Sequence, residues 1–375
     1  VEAQLSSYKG REHSYIKHCF LTEYLRAAAY KTFQGRSEVF NFVDAFAGPW
    51  RVANEDYSDA SFDQALRTLE SVRADLQSRG RKRLKVRFCF CEKDPESMNK
   101  LRKYARMRHE FEISIFPGKF EDNLGQIAEV CRGGFTFTFI DPTGWNIRSD
   151  SILRFLKDRE GEFLLNFMAE PVNRHAGYQL VASSFGRFLA DPNWNAQFEN
   201  LPQEWGNERR VLHLLRRQIK NLGAAKYLPD FPILNPNEER VKMRLLLGTF
   251  SDKGLEVFRD VQQKVERLQI ETREQLKSPR SLFTPEESAA LQQGRAGIGC
   301  DKYFLEADAL VVSKLQKETH TQYARLANCV IEQLPMRKPD VNKLLVRMKD
   351  RGAVKFDLPK GRRVPQSTTR ISLPS

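Results

Sequence analysis

Four short apolar runs constrain this chain more than any other feature: 39–44 (VFNFVD), 86–92 (VRFCFCE), 112–116 (EISIF) and 135–140 (FTFTFI). Each is dense in β-branched and aromatic residues, as buried strands are. Helical segments separate them, from Ser61 to about Arg79, from Pro95 (with Asp94 as N-cap) to about Arg108, and from Asp122 to Cys131. A helix over 149–157 and a fifth strand over 162–168 follow. Strands alternating with helices predict a parallel sheet joined by right-handed crossovers. Ligands of such sheets bind beyond the carboxyl ends of the strands. The first, second and fourth runs each lead into an acid there: Asp44, Glu92 and Asp141. Like charges gathered on one rim are unfavourable unless a ligand or a cation uses them.

The turn after the first strand, Phe46-Ala47-Gly48-Pro49, is built of small residues that let a ligand approach the backbone. Beyond the fifth strand the chain turns helical and aromatic-rich over about 175–222. Two further strands, over 225–234 and 240–249, and a helix from Asp252 to about Glu266 come next. Five parallel strands closed by an antiparallel terminal hairpin are the order of class I S-adenosylmethionine-dependent methyltransferases. The expected fold is therefore α/β, Rossmann-like and mostly parallel. In that arrangement Glu92, with Lys93 beside it, holds the ribose hydroxyls of the cofactor, and the turn from Asp44 to Pro49 faces its methionine end. Gly118, Lys119 and Phe120 lie in the loop where an adenine ring packs, although Phe120 reads equally well as core. Lys17 and His18 sit on a first helix over 15–33, near the methionine end.

Asp141, Pro142, Gly144 and Trp145 (DPTGW) stand where amino-methyltransferases place an acid or amide, a proline and an aromatic. There the first residue accepts hydrogen bonds from the target amine and the aromatic stacks on an extruded base. Asp141 as a helix cap and Trp145 as core is the plainer alternative. Asp44, Glu92 and Asp141 as magnesium ligands of a nuclease is another. It is disfavoured because carboxylates on separate strands are spread along a nucleoside, and no resident metal is expected.

Three motifs in order, Phe46-Ala47-Gly48-Pro49, Ser61-Phe62-Asp63-Gln64-Ala65-Leu66 and Phe139-Ile140-Asp141-Pro142-Thr143-Gly144, resemble those of the three-Cys-motif partner proteins, a bacterial family with a methyltransferase-like fold. The resemblance covers roughly residues 10–270. It implies a cofactor-type Rossmann domain and a partner bearing a three-cysteine motif, itself similar to radical S-adenosylmethionine proteins. Many members carry glycine after the FAGP turn, where this chain has the bulky Trp50.

The chain of 375 residues is 41% hydrophobic, with a net charge of +13. That balance supports a packed core and points to an anionic partner, nucleic acid above all. No apolar run approaches the length of a membrane span, and the N-terminal stretch lacks the apolar centre of a secretory signal. Six scattered cysteines argue against a disulfide framework or a zinc knuckle. A reduced, cytoplasmic protein is expected.

Residues 337–375 hold eleven basic and three acidic residues, a net +8. A helix over 322–332, a second over 341–351 and alternating strands at 354–358 and 369–373 around a basic loop predict a winged helix-turn-helix. Lys338, Lys343, Arg347, Lys349 and Arg351 would lie on or beside the groove-facing helix, with Arg362 and Arg363 at the wing tip. The expected organisation is a methyltransferase-like domain over 1–270, a helical linker over 271–299 and a winged-helix domain over 300–375. The expected activity is amine methylation of a nucleic-acid base. A non-catalytic nucleic-acid-binding subunit is the alternative.

Overall fold

The computed structural model describes residues 4–35, 37–48, 52–81, 83–176, 178–277, 287, 301–358 and 361–374. Pro49, Trp50, Cys300, the hinge at 294–299 and nearly all of the linker beyond 277 lie outside the described residues. The chain divides into two compact units, Val1–Phe250 and Ser251–Ser375.

The first unit is a seven-stranded sheet: β1 (Val39–Asp44), β2 (Lys85–Glu92), β3 (Glu112–Pro117), β4 (Phe135–Ile140), β5 (Gly161–Phe167), β6 (Asp230–Leu234) and β7 (Val241–Gly248), in the order 3-2-1-4-5-7-6. Strands β1 to β5 are parallel, and β7 is antiparallel to both β5 and β6. The crossover helices are α1 (Glu12–Gln34), which precedes β1, then α2 (Ser61–Ser78), α3 (Pro95–Met107), α4 (Phe120–Val130) and α5 (Ser149–Lys157). Between β5 and β6 lie α6 (Ala169–His175), α7 (Ala182–Leu189), α8 (Trp194–Glu199) and α9 (Asn207–Asn221). This strand order, with its antiparallel seventh strand, is the methyltransferase-like arrangement expected from the sequence.

The apolar runs are continuous because the inner strands are buried on both faces. One face is aromatic. Phe42 lies 6.3 Å from Phe137 and 6.4 Å from Phe88, ring centre to ring centre. Helix α1 covers this layer with Tyr24, 5.8 Å from Phe137, and Phe33, 6.1 Å from Phe40. The buried carboxylate of Glu162 ties α1 to β5, accepting from Tyr24 Oη at 2.7 Å and from Thr249 Oγ1 at 2.6 Å. The other face packs on α4. Cys89 and Cys91, two residues apart on β2, both turn towards it, with Cys89 Sγ 3.8 Å from Cys131 Sγ. Asp94 caps α3 by accepting the Ser97 amide at 2.8 Å.

The second unit contains α10 (Asp252–Lys277), α11 (Asp301–Glu318), β8 (His320–Gln322), α12 (Tyr323–Gln333), α13 (Lys338–Asp350) and β9 (Arg370–Ser372). Strand β9 pairs antiparallel with β8, and Lys355 bridges to Ser372. The strand expected over 354–358 is thus reduced to a single bridge, and its hairpin partner is joined by 320–322, which the sequence reading passed over. The segment from Asp301 is helical. Helix α10 runs eleven residues beyond the expected end at Glu266 and belongs to the second unit, not to a first domain ending at 270. The reason is packing on α12. Buried Arg259 donates to the carbonyls of Ile331 (2.6 Å) and Glu332 (2.8 Å), satisfying groups at the end of α12 that the helix leaves open. Arg259→Ala is expected to cost about 2 kcal/mol locally, seen as faster amide hydrogen exchange over 323–333. Unchanged exchange there would show that the guanidinium does not hold α12.

Among the described residues no helix is long and apolar enough to cross a membrane.

Candidate cofactor site at the carboxyl rim

The strand order reverses between β1 and β4, so the crevice of this sheet opens at their carboxyl ends. Asp44 closes β1 there and is fully buried. Its Oδ1 accepts the Phe46 amide at 3.1 Å, and its Oδ2 accepts the Ser61 hydroxyl at 2.9 Å. Both donors are neutral. Burial raises the Asp44 carboxyl from 3.8 to about 7, against the lowering effect of these two hydrogen bonds. Glu92, at the end of β2, is also buried and accepts the Asp94 amide at 2.6 Å. Burial is again the main cause of its raised pKa.

The turn after β1 is stitched to both neighbours. The Ala45 amide donates to the Phe139 carbonyl and the Ala47 amide to the Cys91 carbonyl, each at 2.9 Å. That pins the backbone of 45–48 across the β2–β1–β4 rim. Phe46 is half-buried against the core, and Gly48 is half-exposed. Gly118 closes the rim beside β2. Its φ of +101° is in the region that favours glycine, and its amide donates to the Glu92 carbonyl at 2.9 Å. Lys93 and Lys119 are exposed. Phe120 is 1% exposed and meets Phe155 edge-on at 5.8 Å, so it is core, one of the two readings left open by the sequence.

Asp141 lies one residue beyond β4 with both oxygens engaged. Lys17 from α1 ion-pairs with Oδ2, and Asn166 from β5 donates to Oδ1 at 2.6 Å. It does not cap α5, whose N-cap is Arg148. Pro142 is buried, and Gly144 is half-exposed. Trp145 stacks on Phe185 at 4.7 Å and 15°, and its indole N–H donates to Ser184 at 2.9 Å. One ring face is therefore covered from within. His13, one turn before Lys17, is held neutral: burial, with Lys242 and Lys17 close by, lowers it to about 4. Its Nδ1 is buried without a hydrogen-bond partner among the described residues.

The structure thus brings Asp44, Glu92, the 45–48 turn and Gly118 to one rim, with Asp141 beside them. It adds Asn166 and His13, and gives Lys17 and Ser61 their contacts, with Asp141 and Asp44. Ser61 opens the second sequence motif, but Asn166 carried no signal, because only the β4–β5 pairing brings it to Asp141. Among the described residues no group of three or more His, Cys, Asp or Glu is placed to hold a metal ion.

In the second unit four of the seven expected nucleic-acid contacts have internal partners. Lys338 pairs with Glu256 at 2.9 Å and Arg351 with Asp308 at 2.6 Å. Arg347 lies over Phe304 at 4.6 Å and Lys349 over Phe356 at 4.8 Å. Lys343, Arg362 and Arg363 are exposed and make no ion pair among the described residues.

No family model matches the chain, and no curated protein matches it. Solved structures do show likeness. A Legionella pneumophila protein of the family DUF519 is 11% identical over 63% of this chain and 84% of its own, with a TM-score of 0.34. The METTL16 methyltransferase domain is 10% identical over 60% and 65%, with a TM-score of 0.32. The O-methyltransferase TomG of Streptomyces achromogenes, solved with S-adenosylmethionine, is 9% identical over 61% and 79%, with a TM-score of 0.29. The methyltransferase-like class of this chain rests on its strand order.

Proposed function

We propose that the first unit binds S-adenosylmethionine at the β1–β2 rim and that the chain methylates an amine on a nucleic-acid base. The observation that carries the cofactor assignment is the pair of buried carboxylates at adjacent strand ends. Asp44 has only neutral donors and lacks an ion-pair partner among the described residues, so a cationic ligand group supplies the missing counter-charge. The donor set fits the cofactor. Glu92 accepts from a ribose diol, Asp44 beside the 45–48 turn takes the methionine end, and Gly118 leaves room at the nucleoside edge. The bound cofactor supplies an electrophilic methyl group. Asp141, with Pro142 and Gly144, forms the target end, and Trp145 borders it.

The second unit is read as a winged helix that docks on nucleic acid, with Lys343, Arg362 and Arg363 as its available cations. A three-cysteine-motif partner belongs to this reading through the sequence resemblance alone. The non-catalytic alternative draws on one observation. Lys17 and Asn166 already bond one to each oxygen of Asp141, so an incoming amine shares a carboxylate whose charge is partly spent on them.

Isothermal titration with S-adenosylmethionine and S-adenosylhomocysteine tests the cofactor site. Glu92→Ala is expected to weaken both at least tenfold, through loss of a charge-assisted hydrogen-bond acceptor worth about 1.5–3 kcal/mol. Lys343→Glu is expected to change neither. No binding heat from the parent chain would overturn the cofactor assignment. Binding without methyl transfer to tRNA, rRNA or plasmid would favour the non-catalytic subunit.

A further inference from the structure

We infer that the outer face of α9 is a nucleic-acid backbone track, made by Arg209, His213 and Arg217 with Trp205, that leads to the carboxyl rim of the sheet. This rests on the nucleic-acid part of the reading above, but places contacts in the first unit, far in sequence from the basic C-terminus. The three residues stand at i, i+4 and i+8 on one helix face and are exposed. They span about 12 Å along the axis, the reach of roughly three phosphates at 3.4 Å per residue of one strand.

Two of the acids nearby are already engaged. Glu208 pairs with Arg244, and Asp230 pairs with Arg216 and, at 2.7 Å, with Arg244. Neither Arg209 nor Arg217 has an ion pair among the described residues. The charges that bear on His213 are those of Arg217, Arg216 and Arg209, all cations, of which Arg216 is paired with Asp230. The flat groups favour a nucleic acid over an acidic protein. Arg209 stacks on the Trp205 indole at 4.2 Å, and the His213 ring meets the same indole edge-on at 5.6 Å. A stacked guanidinium keeps its edge donors for phosphate while its outer plane accepts a base.

The topology sets the direction of the track. Strand β6 runs with the parallel strands, and the chain approaches it through Tyr227, which bridges Thr249 beside Glu162 near the amino edge of the sheet, shortly after α9 ends. The start of α9 is tied to α6, the helix directly beyond β5, by the Asn207 side chain donating to the Asn173 carbonyl at 3.1 Å. The basic face therefore descends from the rim.

Fluorescence anisotropy of the full chain with labelled 20-nucleotide RNA and DNA, across a salt series, tests this. Arg209→Gln/Arg217→Gln is expected to weaken binding about tenfold or more at 0.1 M salt. The slope of log K against log salt is expected to fall by about 1.4–1.8, two contacts' worth. Arg209→Glu/Arg217→Glu is expected to lose more, with the circular dichroism of the parent. An unchanged slope, with losses confined to Arg362→Glu/Arg363→Glu, overturns the inference. So does a parent chain that binds polyglutamate and neither nucleic acid. Cofactor titration is read separately: a track that binds RNA or DNA in a chain that takes up no S-adenosylmethionine upholds this inference and overturns the methyl-transfer reading.

Discussion

Asp44→Asn is expected to make the protein more stable at pH 8 while removing its affinity for the cofactor. The carboxyl of Asp44 is raised from 3.8 to about 7 by burial. Between those values the folded state keeps a proton that the unfolded chain has released. Stability from this group is therefore full below about pH 4 and is lost as pH rises through 7. Asparagine has no proton to lose. Its oxygen accepts the Phe46 amide as before, and its amide donates to Ser61, whose hydroxyl accepts. The variant should match the parent near pH 4 and exceed it above pH 7 by up to about 4 kcal/mol. Urea midpoints at the two pH values measure this, and an equal difference at both would exclude Asp44 as its source. The same proton governs binding. A cationic ligand group on Asp44 requires the carboxylate, so parent affinity should rise about tenfold per pH unit below 7 and level off above it. Asparagine should leave no measurable binding at any pH in that range.

Gly248→Ala should be one of the most damaging single-methyl changes in the sheet. A Cβ at residue 248 would sit 2.0 Å from the ring of Phe163, its register partner on β5, which is 2% exposed. That ring cannot swing into solvent, so the β5–β7 pairing itself must move. A cost of about 3 kcal/mol is expected, at the upper end of overpacking effects. Phe163→Leu should recover part of it in the double variant, and thermal melts of the four proteins give the coupling. Strictly additive losses would show that the clash is relieved elsewhere. Gly161, whose Cβ would stand 1.8 Å from the Thr136 carbonyl oxygen, is a second such point, with backbone as the obstacle.

These two glycines mark the limit of what the chain reveals when read as a string. Neither stands out in the sequence, because each is required by a residue on a neighbouring strand, Phe163 for one and Thr136 for the other. The same reason explains the target end of the site. Asp141 was legible as a strand-end acid, but Lys17 and Asn166 reach it from a helix 124 residues earlier and a strand 25 residues later. Trp145 was legible as an aromatic after the acid, but its stacking on Phe185 depends on how the segment after β5 folds back. In the second unit Lys338, Arg347, Lys349 and Arg351 read as a basic run, yet each has a partner that only the packing supplies.

What the sequence determined by itself is periodic or adjacent. Apolar runs with helices between them pointed to a parallel sheet, since each helix carries the chain back to start the next strand in the same direction. Asp94-Pro95 fixed a helix start because capping is local. The acids at strand ends marked the rim because side chains there have no further strand to pack on. Tertiary structure alone decided which charges are neutralised, which aromatics are core and which unit owns α10. Those outcomes depend on side chains from distant elements meeting at distances of a few ångströms, where desolvation and pairing are set by the partner and not by the residue itself.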